Sequence, residues 1–188
     1  MQSPVKSLEE RLRFETLLAD LSSRFVNLPA ADVDSAVENA QRQVVEALDL
    51  DRTTLFQIDD DGSQLVVTHS WARPGFEPFP GLSSADLPWC AQKILSGQHV
   101  CFSRVEDLPA EATVDAETIR KYGPKSNVTF PLFRGGTVVG SLSFGAMREH
   151  REWPDEIVNR LRLVAEILAN AIARKLSEQE LRAALAEV

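Results

Sequence analysis

The chain has 188 residues, 44% of them apolar, which is enough for one complete hydrophobic core and too few for two ordinary domains. Acidic residues outnumber basic ones 28 to 20, giving a net charge of -8 and a pI near 4.9; with no basic cluster visible, contact with a nucleic-acid backbone is not expected. The first 19 residues lack a basic stretch followed by an apolar run, and no window approaches the roughly 20 apolar residues that span a bilayer, so a soluble, cytoplasmic domain with no membrane contact is expected.

The apolar residues Phe14, Leu18, Leu21, Phe25 and Leu28 step by four and three, the spacing of one stripe on a helix that Pro29 ends. Val33, Val37, Ala40, Val44 and Leu48 predict a second helix, with Asp32 or Asp34 as its N-terminal cap. The period then falls to two. Thr54, Phe56 and Ile58 share one face of a strand, the turn residues 59–62 follow, and a second strand runs from Leu65 to Trp71, making an antiparallel hairpin. Residues 72–84 contain three prolines and two glycines, a loop long enough to serve as a lid or binding loop. Pro88 suits the first turn of a short helix that Gly97 closes.

A strand is predicted over His99 to Ser103 and a short helix over Asp115 to Tyr122, ended by Gly123 and Pro124. Val128, Phe130 and Leu132 alternate, 134–136 turn the chain, and 137–145 return as a strand whose Gly140 marks a close backbone approach. Pro131 is expected where its missing donor is tolerated. Proline and acids at 153–156 start the last helix, with Ile157, Leu161, Val164, Leu168 and Ala171 on its stripe. Leu176, Leu181 and Leu185 continue an apolar face displaced from that stripe, as in the beginning of a coiled-coil connector.

This order of elements resembles the GAF domain, a small-molecule sensor of phosphodiesterases, phytochromes, histidine kinases and enhancer-binding activators. The most family-like residues are 130–144, FPLFRGGTVVGSLSF, similar to the last hairpin of that fold; Leu87-Pro88-Trp89 with 95–98 resembles its mid-domain helix, and 180–188 resembles the linker into an output domain. The resemblance implies an α+β, profilin-like antiparallel sheet of five to six strands, with N- and C-terminal helices on one face and a pocket of loop and short helix on the other. It divides the chain into a flexible start at 1–9, a sensory domain at 10–175 and the first turns of a helical linker at 176–188, leading to an output domain absent from this chain. Residues that would form a cyclic-nucleotide signature are not assembled here. Bilin-binding members attach pigment through a cysteine usually followed by histidine, whereas Cys90 is followed by Ala91.

Candidate ligand contacts are Trp71 and Trp89, which flank the loop and could line an apolar cavity, together with Cys90, Tyr122, Ser141 and Ser143 as polar groups. Alternation does not say which sheet face holds the pocket. Cys90 and Cys101, the two cysteines, are small apolar filler in one reading and a redox couple in the other, the latter similar to the GAF proteins that reduce free methionine sulfoxide. That group's surrounding pattern and third cysteine are missing. His69, His99 and His150 show no metal-ligand spacing, and the sequence requires no cofactor. The stripes at both ends suggest a parallel homodimer in which Phe14, Leu18, Leu21, Ile157, Leu161, Val164 and Leu168 meet their counterparts, while an unidentified small molecule is sensed on the other side of the sheet. The expected function is sensing and relay, not catalysis; a ligand-free dimerisation module is the remaining alternative.

Overall fold

The computed structural model describes residues 4–81 and 84–186. Five strands form one antiparallel sheet: β1 (Arg52–Ile58), β2 (Leu65–Ala72), β3 (Val100–Phe102), β4 (Ser126–Arg134) and β5 (Thr137–Ala146), in the order β2-β1-β5-β4-β3. Three helices, α1 (Pro4–Val26), α2 (Val33–Ala47) and α5 (Asp155–Ala186), cover one face. Two short helices, α3 (Pro88–Leu95) and α4 (Thr113–Tyr122), lie on the other with the described residues of the 73–87 loop, 73–81 and 84–87.

Alternation on the strands decides what each layer meets. Leu55, Val128, Phe130, Leu132, Leu142 and Phe144 point into the helix layer and form one core with Phe14, Leu21, Val37, Val44, Leu161, Val164 and Leu168. All five α2 positions read as its buried face are buried. Asp32 stands at the N-cap position of α2 without a side-chain bond to the helix, and Asp34 instead pairs with Lys175 of α5, so neither aspartate caps it.

Two glycines and a proline explain local geometry. A Cβ added at Gly140 would stand 2.3 Å from the carbonyl oxygen of Phe56 on the paired strand β1. Gly123 takes a φ of +100° and ends α4 with its N–H on the Ile119 carbonyl, a left-handed stop that glycine makes without a Cβ penalty. β3 pairs only with Asn127–Thr129, so Pro131 lies past its end, beside an edge with no β3 partner.

Two expectations change. α1 begins at Pro4, inside the segment 1–9 read as flexible, since proline at the first helical position lets the helix start that early; residues 1–3 lie outside the described ones. α5 runs unbroken through 176–186, and residues 187–188 lie outside the description. The seven residues assigned to a dimer interface are used within the chain: Phe14, Leu21, Leu161, Val164 and Leu168 are at most 1% exposed, and Leu18 and Ile157 pack against the same core. The four-three stripes of α1 and α5 face each other and the layers beneath, so most of each stripe is used inside its own fold. The apolar residues these helices leave in solvent are Leu8, Leu12 and Val26 on α1 and Leu163, Leu181 and Leu185 on α5.

Candidate functional site

The residues that alternate with the helix-side core point the other way, and there the sheet does not meet a continuous apolar layer. A cavity of about 80 Å³ lies between the sheet and the cover of α3, α4 and loop. Its floor comes from Arg52, Thr54 and Phe56 on β1, Ser141, Ser143 and Gly145 on β5, and Asn127 and Thr129 on β4. Phe79 and Ser84 of the loop, Cys90, Ala91 and Ile94 of α3, and Ile119 of α4 close it.

Strand register arranges the floor in rows. Arg52 pairs with Gly145 and Gly145 with Asn127; the next row inward is Ser70, Thr54, Ser143 and Thr129; beyond it Phe56 pairs with Ser141. Four strands give the middle row a hydroxyl, and its member on β3 is Val100. Thr54 and Ser70 hydroxyls are 3.1 Å apart, and the Asn127 amide bridges Thr129 and Ser143 at 2.9 Å from each. Val100 and, past this strip, Phe56, Leu65 and Ile94 form an apolar wall.

Arg52 is the one charged side chain among the lining residues, and its residue is 5% exposed. Its Nη atoms reach the carbonyl oxygens of Glu77 at 3.5 Å and Tyr122 at 3.4 Å, beyond the usual length of an N–H···O bond. The guanidinium also lies 4.8 Å from the centre of the Phe79 ring. Burial pulls its pKa down to about 10, which still leaves it charged at neutral pH. Among the described residues no carboxylate makes an ion pair with it.

Of the ligand-contact candidates, Cys90, Ser141 and Ser143 line the cavity. Trp71 lies against the helix-side core, because alternation on β2 turns it away from the pocket. Trp89 packs behind the apolar wall beside Phe56 and Ile94 with Lys93 over its ring, and Tyr122 contributes its carbonyl oxygen to Arg52 and not its ring to the lining. Arg52, Thr54, Asn127 and Thr129 were not singled out by sequence; the alternation that joined Thr54 to Phe56 would have placed Arg52 beside them.

The two cysteines lie on opposite sides of the sheet. Val100 and Phe102 of β3 face the cavity, so Cys101 between them faces away and is exposed, while Cys90 faces inward from α3. The fold therefore does not bring together the two thiols read as a redox couple. Burial raises the Cys90 thiol far above its ordinary range, and Asp115 nearby adds to the effect. Asp115 is fully buried and accepts the backbone N–H groups of Trp89 at 3.1 Å and Cys90 at 2.8 Å, so it closes the N-terminus of α3. None of the three histidines lines the cavity: His69 faces Asp34, His99 stacks on Phe130, and His150 approaches the Ser103 carbonyl.

A search of curated protein sequences returned no match. Solved structures share the fold. The phycoerythrobilin-bound GAF domain from a cyanobacterial phytochrome superposes with a TM-score of 0.72 at 20% identity, over 90% of this chain and 99% of that one. The GAF domain of a phosphoenolpyruvate-protein phosphotransferase from Coxiella burnetii gives a TM-score of 0.69 at 15% identity, over 90% and 98%. That of a putative membrane protein from Geobacter sulfurreducens gives 0.62 at 18%, over 76% and 93%. The family model described as GAF domain matches residues 32–172, from the turn before α2 to the last buried turn of α5, and with most of its length inside that match the chain belongs to the GAF domain family.

Proposed function

We propose that this GAF domain is a small-molecule-sensing regulatory module that passes ligand occupancy through its terminal helices to an output domain. The observation that carries the reading is the cavity itself: a hydroxyl-lined floor under a cover of short helices and loop, on the face of the sheet away from the helix layer. Structural neighbours whose names include a bound bilin support a small-molecule ligand for a domain of this fold. A pocket with a few convergent polar groups among apolar walls is the usual form of a small-molecule site.

A relay from this pocket has a physical path. β4 and β5 carry Asn127, Thr129, Ser141 and Ser143 into the cavity, and at the far end of the same hairpin Arg134 makes a two-pronged ion pair with Glu180 of α5, at 2.8 and 2.6 Å. A shift of the hairpin on ligand binding therefore has a direct handle on the outgoing helix. In this reading two copies pair through the leucines that α1 and α5 leave exposed, in parallel, so that both outgoing helices leave in one direction.

The redox alternative receives no support from the thiols. A nucleophilic or resolving cysteine needs thiolate character and a partner within reach; Cys90 is held protonated, and Cys101 lies across the sheet. A thermal-shift screen against nucleotides, haem, nitrate, 2-oxoglutarate and aromatic acids tests the sensing reading. A specific ligand at about one hundred times its Kd adds about 2.7 kcal/mol of stability, and Ala91→Leu, which narrows the cavity from α3, is expected to remove that gain. A panel that leaves the melting point unmoved, or a gain that survives Ala91→Leu, counts against a sensor at this site.

A further inference from the structure

Arg52 is a buried cation, 5% exposed, with no carboxylate paired to it among the described residues. Taking a guanidinium out of water costs several kcal/mol, and proteins normally offset that with a carboxylate or a full set of hydrogen bonds. Arg52 has neither. Its five N–H donors meet two carbonyl oxygens at 3.4–3.5 Å, and its charge points into a cavity whose other lining residues are neutral. The buried carboxylate of Asp115 is spent on the N-terminus of α3. Burial lowers the basicity of Arg52.

The floor beside Arg52 dips at Gly145, its partner across the β1–β5 ladder, which has no side chain; a Cβ built there would press within 3.3 Å of the end of the Asn127 side chain, a donor nitrogen in the amide orientation that satisfies Ser143 and the Phe144 carbonyl, and would stand 3.6 Å from Pro124 Cβ. The result is a notch with Arg52 on one flank and Asn127 on the other, each one strand spacing of about 4.8 Å away. The hydroxyl row of Thr54, Ser143 and Thr129 borders the notch, and the apolar wall starts with Val100 at the β3 end of that row and continues beyond it with Phe56, Leu65 and Ile94. Polarity thus changes along the cavity from charged, through hydroxylated, to apolar. Its volume of about 80 Å³ compares with the 10–15 Å³ that admits one water on the same measure, which suits a compact molecule of a handful of heavy atoms and not a tetrapyrrole or a nucleotide.

We propose that the ligand is a small monocarboxylate with an apolar tail, its carboxylate seated over Gly145 between Arg52 and Asn127 and its tail against Ile94, Val100 and Leu65. The assignment rests on the sensing reading above and adds the ligand class. One cation selects one negative charge; the fork of the guanidinium matches the two oxygens of a carboxylate; and the apolar wall selects against a bare inorganic anion.

Isothermal titration of the full chain tests this with a series from acetate through 3-methylbutanoate to benzoate, the corresponding amides, and nitrate and phosphate. Acids of four to seven carbons are expected to bind, and each amide at least about tenfold more weakly, since a hydrogen bond to a charged partner is worth that much or more. R52Q is expected to weaken the acids by a similar factor and bring them level with the amides. Because Arg52 also touches the loop and α4, R52Q is paired with G145V, which fills the notch and leaves the cation, and which is expected to abolish acid binding. The acid-to-amide ratio in the unaltered protein needs no variant at all. Equal binding of acids and amides sinks the carboxylate while leaving a sensor of neutral ligands. Binding of nitrate or phosphate alone, acid binding unchanged in R52Q or G145V, or no binding by any acid overturns the inference.

Discussion

The carboxylate of Asp51 ties the start of β1 to the end of β5. One oxygen accepts the backbone N–H groups of Met147 at 2.6 Å and Arg148 at 3.0 Å, and the other accepts Arg148 Nε at 2.5 Å, while the Asp51 N–H bonds the Gly145 carbonyl. Arg52 is the next residue, so the same contacts set where its side chain enters the cavity. Burial alone would raise the Asp51 pKa, but the hydrogen bonds from Arg148 and Met147 outweigh it and hold the carboxyl below its usual range. The unfolded chain therefore takes up a proton near pH 4 where the folded one does not. The stabilisation is complete above that pH and is lost as pH falls through the lowered folded value. Asp51→Asn is expected to cost about 2 kcal/mol at pH 7 in a urea titration, and its deficit relative to the unaltered protein is expected to shrink as pH drops below about 4. A deficit independent of pH would show that the charge contributes nothing.

At the level of elements, the pairing of β1 and β5 at Gly140 sets the depth of the cavity floor, since Ser141 and Phe56 face each other one residue on. Gly140→Ala puts a methyl group against backbone that has no rotamer to yield, and overpacking of this kind costs about 1–3 kcal/mol. We expect a lowered melting temperature with ligand binding weakened in parallel; a neutral substitution would mean the two strands can separate freely. This glycine was legible in the sequence, as were both hairpins and the short helix after Pro88, because turn chemistry and period are local. Trp71 shows where local reading stops. Its size suggested a pocket wall, but its side is fixed by the parity of β2 relative to β1, which includes a register shift at Leu55 and Phe56. Arg52 stayed hidden for the converse reason: at the edge of an alternating strand an arginine looks like a solvated end, and only the cover supplied by α4 and the 73–87 loop, distant in sequence, buries it.

For the whole molecule, the stripes on α1 and α5 illustrate an ambiguity that periodicity cannot resolve. A four-three pattern says that a helix buries one face, and it is silent on whether the partner belongs to the same chain. Here α1 lies against α2 and α5 above the sheet, so Leu161, at 0% exposure, is interior, whereas Leu12, at 53%, is not. The two positions should separate folding from association. Leu161→Ala leaves a cavity in the core and is expected to cost about 2–5 kcal/mol, whatever the protein concentration. Leu12→Glu touches no core contact and is expected to stay within about 0.5 kcal/mol for the isolated fold. If two copies pair through the exposed leucines, the same substitution puts a buried charge in that interface and moves the species seen by sedimentation velocity towards monomer. A Leu12→Glu protein with unaltered sedimentation would place any pairing surface elsewhere, and the relay would then have to act through the Arg134 to Glu180 contact within a single chain.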